Sequence, residues 1–136
     1  MSISMAELLK EAEKRAPRGH PHDEEHRIQC ACVRWFRFQH PSLAQCLFAV
    51  PNGGRRDRVT GAKLKAEGVI PGVADLLLLV KRGPYGGLCV EMKTHKGYQS
   101  PEQKQWQKVI EGQGYRYEVC RSLDDFIRII TDYLNS

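Results

Sequence analysis

No stretch of the 136-residue chain is apolar for long enough to cross a bilayer, so no membrane partner is expected. The first twenty residues, MSISMAELLKEAEKRAPRGH, lack both the basic start and the apolar core of a signal peptide. Glu7, Glu11 and Glu13 also argue against an organellar transit peptide, and the simplest expected location is the cytoplasm. Internal repeats, low-complexity tracts and a second-domain boundary are all missing. Cysteine occurs five times, an odd count, and Cys30-x-Cys32 has no second pair at zinc spacing. His26 alone does not complete a tetrahedral set. The thiols read as small core or helix hydrophobes. Charge is not extreme either: 21 Lys+Arg against 16 Asp+Glu give +5, which by itself barely favours an anionic partner.

What is present centres on residues 68–93, GVIPGVADLLLLVKRGPYGGLCVEMK. Two apolar runs, Leu76–Val80 and Leu88–Val90, flank a Gly/Pro-rich turn and predict a β-hairpin with a fairly long loop. Asp75 opens the first run; Glu91 and Lys93 close the second. In an antiparallel pair the start of one strand lies beside the end of the other, so the three polar groups should meet. Glu91 and Lys93, two apart, leave the same face of a strand. Arg55, Arg56, Arg58, Lys63 and Lys65 cluster just ahead, and Lys96 follows Lys93, a distribution that favours a polyanion over a small substrate.

Around the hairpin the chain alternates helices and strands. Ser4 and Glu7 form a capping box opening a helix over residues 4–16, ended by the Pro17–Pro21 segment; residues 1–21 are a helical extension ahead of a domain over 22–136. A second helix over 22–40 places Ile28, Cys32, Trp35 and Phe36 on one apolar face, with Glu25 and Gln29 beside it. By itself Glu25 is a first-turn acid of the kind a helix dipole favours. Cys46–Val50 reads as a strand, Pro51–Arg56 as a glycine-bearing turn, and Asp57–Glu67 as a basic helix. After Lys93, Ser100-Pro101-Glu102-Gln103 supplies N-cap, N1 proline and capping-box glutamine for a helix. Tyr115–Cys120 alternates like a half-buried strand, and Ser122 caps a last helix with Leu123, Phe126, Ile127, Ile130 and Leu134 on one face. The order predicts an α/β domain: a mixed sheet flanked by helices, the last strand running parallel to its neighbour through a helical crossover.

Two carboxylates and a lysine on one corner of a sheet suit a hard divalent cation such as Mg²⁺ or Mn²⁺, with the Met92 backbone carbonyl as a further oxygen donor. Glu25 can add another, directly or through water. Lys93 beside such an ion can hold an attacking water and neutralise charge on a phosphate, which suits phosphodiester hydrolysis. Glu-x-Lys alone is weak: Glu102-Gln103-Lys104 also matches, but it opens a helix, where residues two apart diverge. The competing reading keeps Asp75 as a turn residue and Glu91–Lys93 as a surface ion pair.

Taken together, Asp75 and Glu91-Met92-Lys93 resemble the PD-(D/E)XK nuclease core, a restriction-endonuclease-like fold. More narrowly, the chain resembles the VRR-NUC family of that superfamily, through Glu25–Gln29, Ala49–Arg55, Gly72–Asp75, Glu91–Lys93 and Ser100–Gln103, in family order over about residues 25–134. Ala74 stands where the superfamily name has proline, and Met92 where valine is common; neither side chain takes part in the chemistry. The resemblance implies Asp75 and Glu91 as metal ligands, Lys93 as catalytic lysine, Glu25 as the helix-borne acid, and Gln103 as a supporting residue near the scissile phosphate. It implies a compact phage or bacterial type of enzyme: a homodimeric, structure-selective DNA endonuclease, of which a Holliday-junction resolvase is one form. Asn52, Arg55, Arg56, Lys63 and Lys96 are the candidate nucleic-acid contacts. The alternatives are a non-catalytic module for branched DNA, or a flap or duplex nuclease.

Overall fold

The computed structural model describes residues 3–15, 21–51 and 58–136. Four strands form one mixed sheet in the order β1 (Leu47–Ala49), β2 (Leu76–Leu78), β3 (Leu88–Met92), β4 (Arg116–Cys120). The first three are antiparallel neighbours, with Leu47 opposite Leu78 and Leu76 opposite Val90. β4 lies parallel to β3, with Glu91 opposite Val119, and a parallel neighbour requires a crossover. The helix α4 (Pro101–Gly112) supplies it. The expected α/β architecture is the observed one.

Alternation along β3 sends Leu88, Val90 and Met92 to one face and Cys89 and Glu91 to the other. On the first face, α2 (Pro21–Gln39) buries Ile28, Cys32, Trp35 and Phe36, the stripe expected from their spacing. α5 (Leu123–Leu134) packs beside it, its start fixed by Ser122 Oγ accepting from the Asp125 amide at 3.1 Å. Its buried stripe is Leu123, Phe126, Ile129, Ile130 and Tyr133, rotated from the expected one so that Ile127 and Leu134 only border the core. Tyr133 can be buried because its hydroxyl donates to the Val80 carbonyl at 2.6 Å. α1 (Met5–Arg15) opens on the Ser4–Glu7 capping box and docks Leu9 into the same core, with a Lys10–Asp124 ion pair to α5.

Two elements depart from expectation. Pro41–Cys46 forms a 3-10 helix, so only three residues of the Cys46–Val50 run pair as a strand. The Leu76–Val80 run likewise pairs for three residues, because the hairpin loop closes on a tight turn between Arg82 and Tyr85. α3 (Arg58–Ala66) matches the basic helix. Among the described residues, all five cysteines are free thiols, and no helix is long and apolar enough to cross a membrane.

Candidate active site

Asp75 stands immediately before β2, held through its main chain and its side chain. Its carbonyl accepts from the Val50 amide at 2.9 Å, extending the β1–β2 ladder by one bond. Its Oδ2 accepts from the Met92 amide at 2.7 Å, at the position where the β2 backbone has left the sheet. A side chain thus completes the β2–β3 ladder, which brings Asp75 to the end of β3 as the hairpin reading required.

Glu91 sits on β3 only 2% exposed. Gln103 Nε2 donates to its Oε1 at 2.7 Å, Tyr117 Oη donates to its Oε2 at 3.1 Å, and Lys93 Nζ stands 4.0 Å from Oε1. Gln103 arrives there because of its cap. Its Oε1 accepts from the Ser100 amide at 2.8 Å while its own amide donates to Ser100 Oγ at 3.2 Å. A backbone N–H can only donate, so the cap fixes the amide orientation and leaves the NH₂ end for Glu91. One side chain thus both completes the cap of α4 and hydrogen-bonds Glu91.

Gly72 sets how closely these parts approach. Its φ is +88°, and a Cβ built on it would stand 2.5 Å from the Glu102 carbonyl oxygen and 2.9 Å from the Gln103 nitrogen. Only glycine lets the strand leading to Asp75 lie against the first turn of α4. Between α3, this loop and α4 opens a cleft of about 510 Å³, lined by Leu64 and Lys65 on one side and Asp75, Ser100, Glu102 and Gln103 on the other.

Electrostatics mark the carboxylate pair. Burial pushes Glu91 up to about 8, and the neighbouring Asp75, by its charge and a hydrogen bond, pushes in the same direction; Tyr117 and Lys93 only partly offset this. Glu91 therefore holds a proton at neutral pH, although both its oxygens also face donors. Tyr117 is itself raised, chiefly by burial and then by the Glu91 charge.

Of the expected residues, Asp75, Glu91, Lys93 and Gln103 come together. Met92 buries its side chain on the opposite face, leaving its backbone at the corner. Glu25 is partly buried near the start of α2, whose apolar stripe packs on that opposite face. Among the described residues no three His, Cys, Asp or Glu side chains cluster to hold a metal, so Glu25 does not join Asp75 and Glu91 in one set. Lys63 is exposed on α3 and Lys96 in the loop after Lys93. Asn52, Arg55 and Arg56 lie outside the described residues. Two contributors had not been singled out: Tyr117 and Gln99, whose Nε2 donates to Tyr117 Oη at 3.3 Å and to Gln107 Oε1 at 2.9 Å; Lys65, from the expected basic cluster, lines the cleft. Tyr117 lies opposite Cys89, so it shares a face with Glu91, a fact that follows only once the β3–β4 register is known.

The VRR-NUC domain family model matches residues 13–124. A solved structure described as a VRR_NUC domain protein superposes with a TM-score of 0.72 at 28% identity, covering 82% of this chain and 88% of that one. No curated protein sequence matches the chain.

Proposed function

The chain belongs to the VRR-NUC family of PD-(D/E)XK-type nucleases, and from that premise we propose that it is a divalent-metal-dependent, structure-selective DNA endonuclease acting as a homodimer. The observation that carries the reading is the corner of β2 and β3, where Asp75, Glu91, Lys93 and Gln103 converge beside a cleft.

The donor set fits a hard cation. Two carboxylates crowd together in a buried site, and the proton they retain is what a cation would replace. Asp75, Glu91 and the Met92 carbonyl would hold Mg²⁺ or Mn²⁺, with Glu25 an outer acid acting through water. When bound, such an ion supplies Lewis acidity toward a phosphoryl oxygen and eases deprotonation of a water. The remaining tasks fall to side chains. Lys93 steadies the attacking water and balances negative charge as the new P–O bond forms and the bond to the leaving sugar oxygen breaks. Gln103 and Tyr117 each donate to one Glu91 oxygen, holding the carboxylate in a single orientation. Lys63, Lys65 and Lys96 face the polyanion, joined by Asn52, Arg55 and Arg56.

A C2 dimer would present two such sites to a two-fold substrate. Cleavage of synthetic four-way junctions, flaps and linear duplexes with Mg²⁺ or Mn²⁺ tests the proposal, alongside sedimentation of the free protein. Junctions or flaps should be cut in preference to duplex; equal cutting of all three overturns structure selectivity. A binding-only module would leave wild type and Lys93→Ala equally inert with metal present.

A further inference from the structure

The loop Thr94–Gln99 joins Lys93 to the cap of α4, and it is pinned at several points. Arg121 Nη1 donates to the Thr94 carbonyl at 2.6 Å and to the Gly97 carbonyl at 2.8 Å, and the Gly97 amide closes a turn onto Thr94 at 3.1 Å. Gly97 lies against the catalytic lysine: a Cβ there would stand 3.4 Å from Lys93 Cδ. Gln99 is tied to Tyr117, which donates to Glu91. Between these two anchored residues stands Tyr98, 87% exposed, the most exposed large hydrophobic among the described residues.

Single exposed apolar residues are ordinary on a protein surface. Tyr98 differs in how its neighbours are held. The residue before it leaves room for no more than a Cβ beside the Lys93 stem, and the residue after it is hydrogen-bonded into the Glu91 network, while its own ring is given to solvent. A core role is excluded by the exposure, and a tether for the loop is unnecessary because Arg121 and Gln99 already provide one. A rigidly based aromatic face beside a phosphodiester site matches one ligand chemistry, the π-face of a nucleobase that has lost its stacking partner. Such bases occur where a duplex is interrupted, at branch points and single-strand ends. His95 and Lys96, both exposed on the same turn, add positive charge and a second flat ring to the platform.

We propose that Tyr98 stacks on an unstacked nucleobase next to the scissile phosphate and thereby supplies preference for branched over continuous duplex DNA. The inference rests on the nuclease reading above and adds the residue that makes the selection. The side chain contacts substrate without sharing in the chemistry, so its removal should raise KM on branched substrates and leave kcat alone.

The test uses the full chain with Tyr98→Phe, Tyr98→Trp, Tyr98→Leu and Tyr98→Ala. On a junction or flap, Tyr98→Ala and Tyr98→Leu should lose about 5- to 150-fold in kcat/KM through KM, whereas Phe and Trp retain it. Linear duplex cleavage should not change in any of the four. A binding arm needs no turnover: 2-aminopurine placed at the branch point, titrated with protein in Ca²⁺, should be quenched by wild type and Tyr98→Phe and stay bright with Tyr98→Leu. Equal quenching by wild type and Tyr98→Leu overturns the proposal. So does a Tyr98→Ala variant that changes its sedimentation while keeping its KM, since the ring would then serve a protein contact. A wild type that quenches the probe but cuts nothing refutes the nuclease reading and leaves the stacking role standing.

Discussion

The two faces of β3 are one residue apart in sequence and unlike in construction. Toward α2 and α5, Leu88, Val90 and Met92 enter a continuous apolar cluster with Phe36, Phe126 and Ile130, all essentially inaccessible to solvent. Toward α4 the buried apolar set among the described residues is only Ala74, Cys89 and Tyr117, with Trp106 and Ile110 at its margin. On the first face position is fixed by packing. On the second it is fixed by hydrogen bonds around a buried carboxylate: Met92 to Asp75, Gln103 and Tyr117 to Glu91, Ser100 to Gln103. The division lets the sheet carry an electrostatically costly corner, because stability comes from the other side. It also means that changes on the two faces should be separable by measurement.

The largest expected loss belongs to the packed face. Phe36→Ala should cost about 3–5 kcal/mol of unfolding free energy in a urea titration, a large share of what a domain this size has. Lys93→Ala, on the other face, should lower cleavage about 10²- to 10³-fold with far less change in the urea midpoint. If Lys93→Ala unfolds the chain as readily as Phe36→Ala, the separation of the faces fails.

Gly72 sharpens the comparison, since it belongs to neither face and sets the distance between them and α4. Gly72→Ala places a Cβ against backbone atoms at a positive φ, at a cost of about 1–3 kcal/mol. The loop should move away from α4, so amide exchange at Met92 should quicken and cleavage should fall together with the melting temperature. Loss of stability with unchanged Met92 exchange would show that Gly72 does not position Asp75.

These residues also show what a single sequence can disclose. The meeting of Asp75 with Glu91 and Lys93 was legible, because antiparallel pairing and two-residue alternation are local rules. So was the Ser100–Gln103 cap, whose spacing is intrinsic to a helix start. Tyr117 was not, since its place beside Glu91 depends on the register of a parallel pair joined by a whole helix. Gly72 stood out only as part of the Gly72–Asp75 match, since what approaches it is set by α4, some thirty residues on. The α5 stripe was misjudged by a fraction of a turn: Tyr133 was not credited with a buried partner for its hydroxyl, and Val80 provides one. Glu25 is the remaining case. A helical acid can be assigned a position along its helix from sequence, whereas its distance from a strand end depends on packing across the sheet.

The carboxylate corner has a pH signature that the apolar face lacks. Folded, Glu91 binds its proton up to about 8; as an ordinary carboxyl it would release it near 4.5. Between those values the native state carries a proton that the unfolded chain does not. Stability from this group is therefore complete below the lower value and is lost as pH rises through the upper one. In chelator, the melting temperature of the wild type should fall between pH 5 and 8, and Glu91→Gln should flatten that slope. Added Mg²⁺ should restore stability most at the alkaline end, where the proton no longer competes with it. A slope that survives Glu91→Gln would place the titrating group elsewhere.

The smallest expected effect lies at the rim of the cleft, where Lys63 and Lys65 stand on α3. Neither takes part in the hydrogen-bond network of the corner, so replacing either by alanine should leave kcat and the urea midpoint in place. A lysine that meets a phosphate releases roughly one counterion on binding, and losing it should reduce the slope of log affinity against log salt by about 1. Lys65 lines the cleft that Asp75 and Gln103 enter, whereas Lys63 does not. Lys65→Ala should therefore change the slope more than Lys63→Ala. Equal slopes for both would mean that DNA follows the outer face of α3, and that the corner of β2 and β3 is reached from another direction.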